Sequence, residues 1–324
     1  MSRPRVLLLH PILEPALSLL QDGLDLVHCT SDQAQDPAQV ADLAEGCQGI
    51  VSLITDRVDA ALLATPGLRV VANVGVGFDN IDLVAATHFG VLITNTPGVL
   101  DETTADFAFA LMLSAARRLV AADRMLREGD FMGWQLDLML GVDVHGSTLG
   151  VVGLGRIGRA LARRARGFGM RILYNSRTPA PDAVESELGA RAVGLDELLG
   201  ESDFVSLHVP LTTQTRHLIG ERELGLMRPT SVLINTSRGP VVDERALARA
   251  LSRGTIFAAG LDVYEHEPEV DLELRRMPNA VLAPHIASAS IATRSAMSEL
   301  AARNLLQALA GERPAHLVNA QVWR

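Results

Sequence analysis

The chain has 324 residues, enough for two domains of ordinary size, and its 48% hydrophobic and 21% charged residues are typical of a water-soluble globular protein. Its formal net charge of −9 argues against general binding to nucleic acids or to anionic membranes. Cys29 and Cys47 have neither metal-ligand nor redox spacing, which excludes a disulfide framework and favours a reducing, cytoplasmic location. The first apolar run is too short for a signal peptide or a membrane span.

Residues 1–99 alternate between short apolar strands and helices. Five apolar runs are strand candidates, at 6–9, 24–28, 49–54, 70–74 and 91–94. Continuous apolar strands that alternate with helices indicate a parallel sheet covered on both faces, which predicts a small flavodoxin-like domain. The segment 73–80 contains two glycines directly after the fourth run. Its backbone N–H groups could form an anion-binding nest, or the segment could be only a tight turn.

A cluster of helix breakers then precedes a long helix. Asp101 or Thr103 can cap it, and the segment 105–120 is apolar on nearly all sides, so we expect the helix to be buried. We place a domain crossing near residue 99, with this helix at the interface. The segment 129–146 has poor periodicity and is predicted to be a loop excursion or a dimerisation arm.

The alternation of strands and helices resumes at residue 148. Six further strands are predicted, at 149–153, 171–174, 203–207, 232–235, 257–261 and 281–283. They suffice for a full dinucleotide-binding domain, and the amphipathic helix at 291–310 could return to the first domain. The predicted fold is therefore α/β, with two doubly wound, Rossmann-like parallel-sheet domains and a cleft between them.

A glycine loop, G-x-G-x-x-G, follows the first strand of this second set. Gly153 would permit a tight turn, Gly155 would let the backbone approach a pyrophosphate, and Gly158 would let the next helix pack closely on the strand. The helix N-terminus would face the phosphates with unpaired N–H groups. Because a second β-like run follows the helix, the loop predicts a dinucleotide site.

The end of that second run selects the dinucleotide. An NAD site normally has Asp or Glu there, about 20 residues past the first glycine, whereas this chain has Asn175, Ser176, Arg177 and Thr178. An Arg flanked by hydroxyl donors would bind a 2′-phosphate, which a carboxylate would repel. The pattern favours NADP(H), although Arg177 could also be a solvated loop charge.

Three further stretches follow predicted strands: 235–240, 262–268 and 283–288. They would present an Arg, carboxylates and a His at the carboxyl edge of the sheet, where ligands collect. Spacing alone leaves other interpretations open, because an Arg after a strand can be an ion-pair partner, Pro-His an exposed imidazole and Glu-Pro a turn.

The residues of these stretches also carry a resemblance. VGLGRIG, NTSRGPVVDE, LDVYEHEP and APHIASAS resemble the signatures of the D-isomer-specific 2-hydroxyacid dehydrogenase family, in the family's order. The match extends from about Asn73 to the last helix. The stretch around Trp134, the DVHGSTLG run and LYNSR are most similar to the glyoxylate/hydroxypyruvate reductases of that family, with the 2-ketogluconate reductases as near neighbours.

The resemblance implies a catalytic trio. Arg238 would hold the substrate carboxylate and polarise the keto group, His285 would act as general acid and base, and Glu267 would orient His285 and favour its protonated form. It also implies that residues 1–99 form the substrate-binding domain, that 100–284 bind the cofactor, and that 285–324 return to the substrate domain.

Further positions follow from the same resemblance and from the glycine loop. Val76 and Gly77 would offer N–H groups to the substrate carboxylate, and Leu53, Leu100 and Trp134 would bound the far end of the substrate. The cofactor would be bound by Thr104, Gly153, Leu154, Gly155, Arg156, Ile157, Gly158, Asn175, Ser176, Arg177, Thr178, Val209, Pro210, Thr215, Thr236, Ser237, Arg238, Asp262, His285, Ala287 and Ser288. Ala287 departs from the family, which often has Gly there. His88, His208 and His217 are interpreted as structural or exposed, and His266 has no assigned role.

The resulting hypothesis is an NADPH-dependent reductase that converts small 2-keto acids such as glyoxylate and hydroxypyruvate to D-2-hydroxy acids, as a homodimer without a metal. A 2-ketogluconate reductase of the same family is one alternative. A regulatory protein that senses dinucleotides on the same scaffold is a second. Oxidation of a small anion such as formate or phosphite is a third.

Overall fold

A computed structural model describes residues 3–34 and 36–323 of the chain. Contacts divide the chain into two compact units, 1–100 with 289–324, and 101–288. The sequence predicted that the chain passes from one domain to the other after residue 99 and returns before residue 285. Residues 285–288 lie with the second unit because the backbone N–H groups of His285, Ile286 and Ala287 all donate to Asp262.

In this described part the elements alternate along most of the chain. The strands are β1 (Arg5–Leu8), β2 (Asp25–His28), β3 (Gly49–Leu53), β4 (Val70–Val74), β5 (Leu92–Thr94), β6 (Thr148–Val152), β7 (Arg171–Asn175), β8 (Ala190–Ala192), β9 (Phe204–Leu207), β10 (Val232–Asn235), β11 (Ala258–Leu261) and β12 (Ala280–Leu282). The helices are α1 (Ala16–Gln21), α2 (Ser31–Ala34), α3 (Pro37–Ala44), α4 (Ala60–Leu63), α5 (Leu83–Phe89), α6 (Asp101–Ala116), α7 (Leu119–Glu128), α8 (Arg156–Gly167), α9 (Asp182–Leu188), α10 (Leu195–Glu201), α11 (Glu221–Leu226), α12 (Glu244–Arg253), α13 (Leu272–Arg276) and α14 (Ile291–Ala310).

Within the described residues, the first unit contains a five-stranded sheet in the order β2-β1-β3-β4-β5. All its pairs are parallel, and the order reverses between β1 and β3, as in flavodoxin-like sheets. Strands β1 and β4 are almost fully buried. Helix α14 packs on β3, β4 and β5, so residues far apart in the chain share this core.

The second unit, again as far as it is described, contains a seven-stranded parallel sheet in the order β12-β11-β10-β9-β6-β7-β8. Counted from β6, this is the Rossmann order with one added strand, and it reverses between β6 and β9. Two apolar clusters cover the faces, one between the sheet and α6 and α8, the other between the sheet and α10, α11 and α12. The predicted class, α/β with two doubly wound parallel sheets, is confirmed.

The helix predicted at 105–120 is wrong at both ends. Helix α6 already begins at Asp101, so both predicted caps lie inside it, and it ends at Ala116. Arg118 adopts a left-handed conformation (φ 52°), its guanidinium carbon lies 5.2 Å from the centre of the Phe257 ring, and α7 starts directly afterwards. Tertiary contacts with Phe257 therefore favour a break that no Gly or Pro marks in the sequence.

Candidate active site

The glycine loop after β6 forms an open cradle at the point where the strand order of the second unit reverses. Gly153 has φ +98°, and a Cβ on it would lie 2.7 Å from the carbonyl oxygen of His208. A Cβ on Gly158 would collide with the carbonyl oxygen of Gly153, whereas nothing lies within 4 Å of a Cβ on Gly155, the residue directly before α8. The loop thus leaves the helix N-terminus accessible from the side of Gly155, as a bound pyrophosphate requires.

The end of β7 lies against this loop. The backbone N–H of Gly153 donates to the carbonyl of Asn175 at 2.8 Å, and that of Leu154 donates to Ser176 Oγ at 2.8 Å. Asn175 Nδ2 donates to the carbonyl of Val193 at 2.9 Å. Arg177 is exposed and forms no ion pair with any residue that the structure describes, so its charge is available to a ligand.

The predicted trio is assembled within the second unit by three neighbouring strands. Arg238 follows β10, Glu267 follows β11 and His285 follows β12, and because these strands are parallel their carboxyl ends share one edge. His285 Nδ1 lies 2.7 Å from Glu267 Oε2. Arg238 is close enough for its charge to act on Glu267. One edge therefore holds a cation, a carboxylate and an imidazole.

The electrostatics of Glu267 fit a carboxylate that stays ionised beside His285. Burial alone would raise the pKa of Glu267, but the hydrogen bond and charge of His285, the N–H of Tyr264 and the charge of Arg238 together lower it. Glu267 therefore stays ionised near neutral pH. Its carboxylate therefore accepts a charge-assisted hydrogen bond from Nδ1 of His285, which fixes the orientation of the imidazole.

Asp262 has a role in the structure that the sequence reasoning missed. Its side chain is fully buried, and its two oxygens accept from the N–H groups of Ile286 at 2.8 Å and Ala287 at 2.7 Å. Burial raises its pKa, while these two hydrogen bonds oppose the rise. His285 itself adopts φ +55°, so Asp262 holds the turn that presents the imidazole.

Tyr264 and Gly239 also support the trio, and neither was predicted. The Tyr264 N–H donates to Glu267 Oε1 at 3.0 Å, and its hydroxyl donates to the carbonyl of Ala283 at 2.9 Å. A Cβ on Gly239 would collide with the Tyr264 carbonyl, so only glycine fits next to Arg238. In the sequence, the one indication of this close contact was the glycine directly after Arg238.

The other predicted cofactor residues of the second unit include residues in four places. Val209 and Pro210 follow β9, and Thr215 Oγ1 donates to the carbonyl of Pro210 at 2.6 Å. Thr104 lies buried in α6, and Ala287 is buried in the turn that Asp262 holds. Thr236 and Ser237 follow β10, and the buried hydroxyl of Thr236 has no hydrogen-bond partner among the described residues.

The predicted substrate residues lie apart in the chain. Leu53 ends β3, and Val76 and Gly77 follow β4, so these three belong to the first unit. Leu100 is buried at the end of that unit. Trp134 belongs to the second unit and is 80% exposed.

The remaining histidines have other environments. Desolvation lowers the pKa of His208 to about 4, and its Nε2 lies 2.9 Å from Ser206 Oγ, so it stays neutral at physiological pH. His217 pairs with Glu265, and the exposed His88 packs edge-on against Phe89.

Across residues 3–34 and 36–323, no group of three or more His, Cys, Asp or Glu side chains is arranged to hold a metal ion. No helix in that part of the chain is long and apolar enough to span a membrane.

Known proteins resemble the chain along its whole length. A glyoxylate reductase from Korarchaeum cryptofilum is 52% identical over 99% of this chain and 97% of its own. The crystal structure of a Thermus thermophilus protein matches with a TM-score of 0.90 and 44% identity, covering 97% of this chain and 99% of that one. The NADPH-dependent glyoxylate/hydroxypyruvate reductase of Sinorhizobium meliloti, crystallised with NADP and malonate, matches with a TM-score of 0.88 and 37% identity, covering 100% and 99% of the two chains.

A family model covers more than half of the chain. Residues 109–287 match the NAD-binding domain of the D-isomer specific 2-hydroxyacid dehydrogenases. This range includes the glycine loop and all three residues of the trio, which confirms the resemblance inferred from the four motifs. The chain is therefore an oxidoreductase of the D-isomer-specific 2-hydroxyacid dehydrogenase family.

Proposed function

We propose that this enzyme uses NADPH to reduce small 2-keto acids, glyoxylate and hydroxypyruvate, to D-2-hydroxy acids. The observation that carries the proposal is the His285–Glu267 pair, at 2.7 Å, on the same sheet edge as Arg238. A general acid beside a carboxylate-binding cation is what reduction of a 2-keto acid requires. The relative from Korarchaeum cryptofilum, a glyoxylate reductase, supports the choice of substrate.

Each member of the trio has one task. Arg238 binds the substrate carboxylate through its planar donor fork and polarises the neighbouring carbonyl. Because Glu267 holds Nδ1 of His285, Nε2 is the nitrogen that delivers a proton to the carbonyl oxygen. When bound, the reduced nicotinamide supplies the hydride that adds to the carbonyl carbon. One proton and one hydride thus convert the aldehyde of glyoxylate to the primary alcohol of glycolate, and the ketone of hydroxypyruvate to a secondary alcohol of D configuration.

The backbone N–H groups of Val76 and Gly77 are proposed as further donors to the substrate carboxylate. Leu53, Leu100 and Trp134 are proposed to limit the size of the group beyond the keto carbon, which would favour two- and three-carbon acids over 2-ketogluconate. The glycine loop, the 175–178 segment, Thr215 and the 236–238 segment would hold the dinucleotide, and Asp262 would also accept from its carboxamide.

The discriminating experiment measures initial rates with glyoxylate, hydroxypyruvate, pyruvate and 2-ketogluconate, using NADPH and NADH in parallel. NADPH-dependent turnover of the first two is the expected result. Preference for 2-ketogluconate would instead favour the larger substrate. Absence of turnover with all four acids, together with tight NADPH binding, would favour a dinucleotide-sensing protein and contradict the proposal.

The preference for NADPH is proposed on the charge at the end of β7. Arg177 is exposed, has no ion-pair partner within the described chain and stands where a carboxylate would select NADH. The Sinorhizobium meliloti enzyme, crystallised with NADP, supports this choice. Two buried, free cysteines agree with the reducing cytoplasm that we propose as the location.

Replacing Arg177 with aspartate is expected to reverse the cofactor preference. The carboxylate would repel the 2′-phosphate and accept from ribose hydroxyls, so the ratio of kcat/KM for NADPH to that for NADH should fall at least 100-fold, about 2.7 kcal/mol. Steady-state kinetics with both cofactors measure this ratio. Arg191→Asp is the matched control, since Arg191 pairs with Glu197 and should leave the ratio unchanged. A wild-type ratio that favours NADH would refute the preference.

A homodimer is proposed on the exposed apolar side chains of α7 and the 129–146 segment. These are Leu119, Val120, Leu126, Phe131, Met132, Trp134, Leu136 and Leu140, each at least 45% exposed. Contiguous exposed apolar surface of this kind marks a protein interface. The double variant Leu126→Glu/Met132→Glu is expected to sediment as a monomer where the wild type sediments as a dimer. A wild-type monomer at micromolar concentration would refute the proposal.

A further inference from the structure

A partly buried pair of hydrogen-bonding side chains, His10 and Asp56, lies at the carboxyl edge of the five-stranded sheet. His10 comes two residues after β1, Asp56 comes three residues after β3, and His10 Nε2 lies 2.6 Å from Asp56 Oδ1. The strand order of this sheet reverses between β1 and β3. Ligands of doubly wound sheets bind outside the carboxyl ends of the strands at this reversal. The His10–Asp56 pair therefore occupies the place where the first unit is expected to contact a ligand.

Asp56 fixes the turn that follows β3. Its side chain is only 7% exposed, its Oδ2 accepts from the N–H of Leu53 at 2.7 Å, and its own N–H donates to the carbonyl of Leu53. A buried carboxylate needs a partner for each oxygen, since an unpaired buried charge is strongly destabilising. In the part of the chain described, His10 is the one side chain of a basic residue that pairs with Asp56.

This turn is linked to the glycine turn after β4. Asn80 Nδ2 donates to the carbonyls of Leu53 at 3.1 Å and Asp56 at 2.8 Å. Asn73, fully buried, donates through Nδ2 to the carbonyl of Gly77 at 2.8 Å and contacts Asn80 Nδ2 through Oδ1 at 3.4 Å. Hydrogen bonds through Asn80 and Asn73 therefore connect the carbonyl of Leu53 to the carbonyl of Gly77.

Packing leaves little room between the two turns. A Cβ on Gly75 would collide with Cγ2 of Ile54, so the side chain of the first turn lies directly on the backbone of the second. The N–H of Thr96 donates to the carbonyl of Gly75 at 2.9 Å, and Asn95 Nδ2 donates to the carbonyl of Val76 at 2.8 Å. Because the carbonyls of the glycine turn are all engaged, the direction of its N–H groups is set by the surrounding residues.

We propose that His10 and Asp56 are positioning residues that aim the Val76 and Gly77 N–H groups at the carboxylate of the 2-keto acid. The inference rests on the proposed function, because it takes its ligand from there. It predicts that the His10–Asp56 pair affects the affinity for the 2-keto acid and does not affect the affinity for the dinucleotide. The dinucleotide loop and the trio belong to the second unit, and their chemistry does not use this pair.

The test compares four single variants of the full-length enzyme: His10→Leu, His10→Gln, His10→Arg and Asp56→Asn. The His10→Leu and Asp56→Asn variants are expected to raise KM for glyoxylate roughly tenfold, the range of one charge-assisted hydrogen bond, with kcat within about twofold. His10→Arg keeps a side-chain N–H donor for Asp56 and should keep KM within about twofold of wild type. The double variant His10→Leu/Asp56→Asn should be no worse than Asp56→Asn, since the two residues act as a pair.

Binding of NADPH, followed by fluorescence titration, is expected to be unchanged in all of them. His10→Gln keeps a neutral donor, so it provides a folded intermediate case if His10→Leu is unstable. Asp59→Asn is the matched control, because Asp59 caps α4 three residues away and pairs only with exposed Arg57 among the described residues. It should lower thermal stability without changing KM.

Three outcomes would overturn the inference. One is an unchanged KM in both His10→Leu and Asp56→Asn, a second is a parallel loss of NADPH affinity, and a third is a failure of His10→Arg to restore KM. If the wild-type enzyme reduces 2-keto acids and the variants behave like the wild type, this inference is refuted and the proposed function stays intact. A wild-type protein without turnover would refute the proposed function, and this inference with it.

Discussion

Replacing His285 with alanine is expected to lower kcat for glyoxylate reduction at least 100-fold, because general acid catalysis contributes about 10²- to 10⁴-fold. The imidazole is held by Glu267 at 2.7 Å and by the turn fixed on Asp262. Alanine removes the proton donor but not the backbone hydrogen bonds of the turn, so the fold should persist. Initial rates at saturating NADPH measure the loss, and a titration of NADPH measures whether the cofactor still binds.

His88→Ala is the matched control for this variant. It also removes an imidazole, but from an exposed position on α5. There the His88 ring packs edge-on against Phe89. Its kcat should equal that of the wild type. A fall of less than about tenfold in His285→Ala would contradict the assignment of His285 as the general acid, since general acid catalysis contributes more than that.

Much of the second unit could be predicted from the sequence because its strands are apolar and end in marked turns. The glycine loop, for example, follows a fully buried strand and opens an amphipathic helix, as the pattern of residues 149–167 indicated. Strand β8, with three residues at the sheet edge, carries no comparable signal. It forms because it can pair with the free edge of β7, and that edge exists only once the sheet has assembled.

The site was predictable to a similar degree and for a similar reason. Arg238, Glu267 and His285 carry distinctive neighbours, so the motifs located them and the structure brings Glu267 and His285 into contact. The supporting contacts were not predictable. That Tyr264 donates to both Glu267 and Ala283, or that His10 pairs with Asp56, depends on which strands are neighbours and on how their turns pack.

Replacing Arg238 with glutamine is expected to lower kcat/KM for glyoxylate roughly 1,000-fold, about 4 kcal/mol, because the substrate carboxylate loses a charged, two-pronged donor. Arg238→Lys keeps the charge but not the planar fork, so its loss should be smaller, about 100-fold. Because the 236–238 segment is also proposed to hold the dinucleotide, any loss of NADPH affinity should be much smaller than the loss in kcat/KM for glyoxylate if the guanidinium acts chiefly on the substrate. Steady-state kinetics and cofactor titration separate the two effects.

The pH dependence of these two variants distinguishes charge from shape. The charge of Arg238 is one of the causes that lower the pKa of Glu267, so glutamine at position 238 should raise that pKa. Glu267 would then become neutral, and cease to be a charged acceptor for His285, at a higher pH as the solution is acidified. The acid limb of the kcat/KM profile should therefore move to higher pH in Arg238→Gln and stay in place in Arg238→Lys. Equal profiles for both variants would show that the charge of Arg238 does not act on Glu267, and would leave the substrate carboxylate as the one partner of Arg238 in the proposed mechanism.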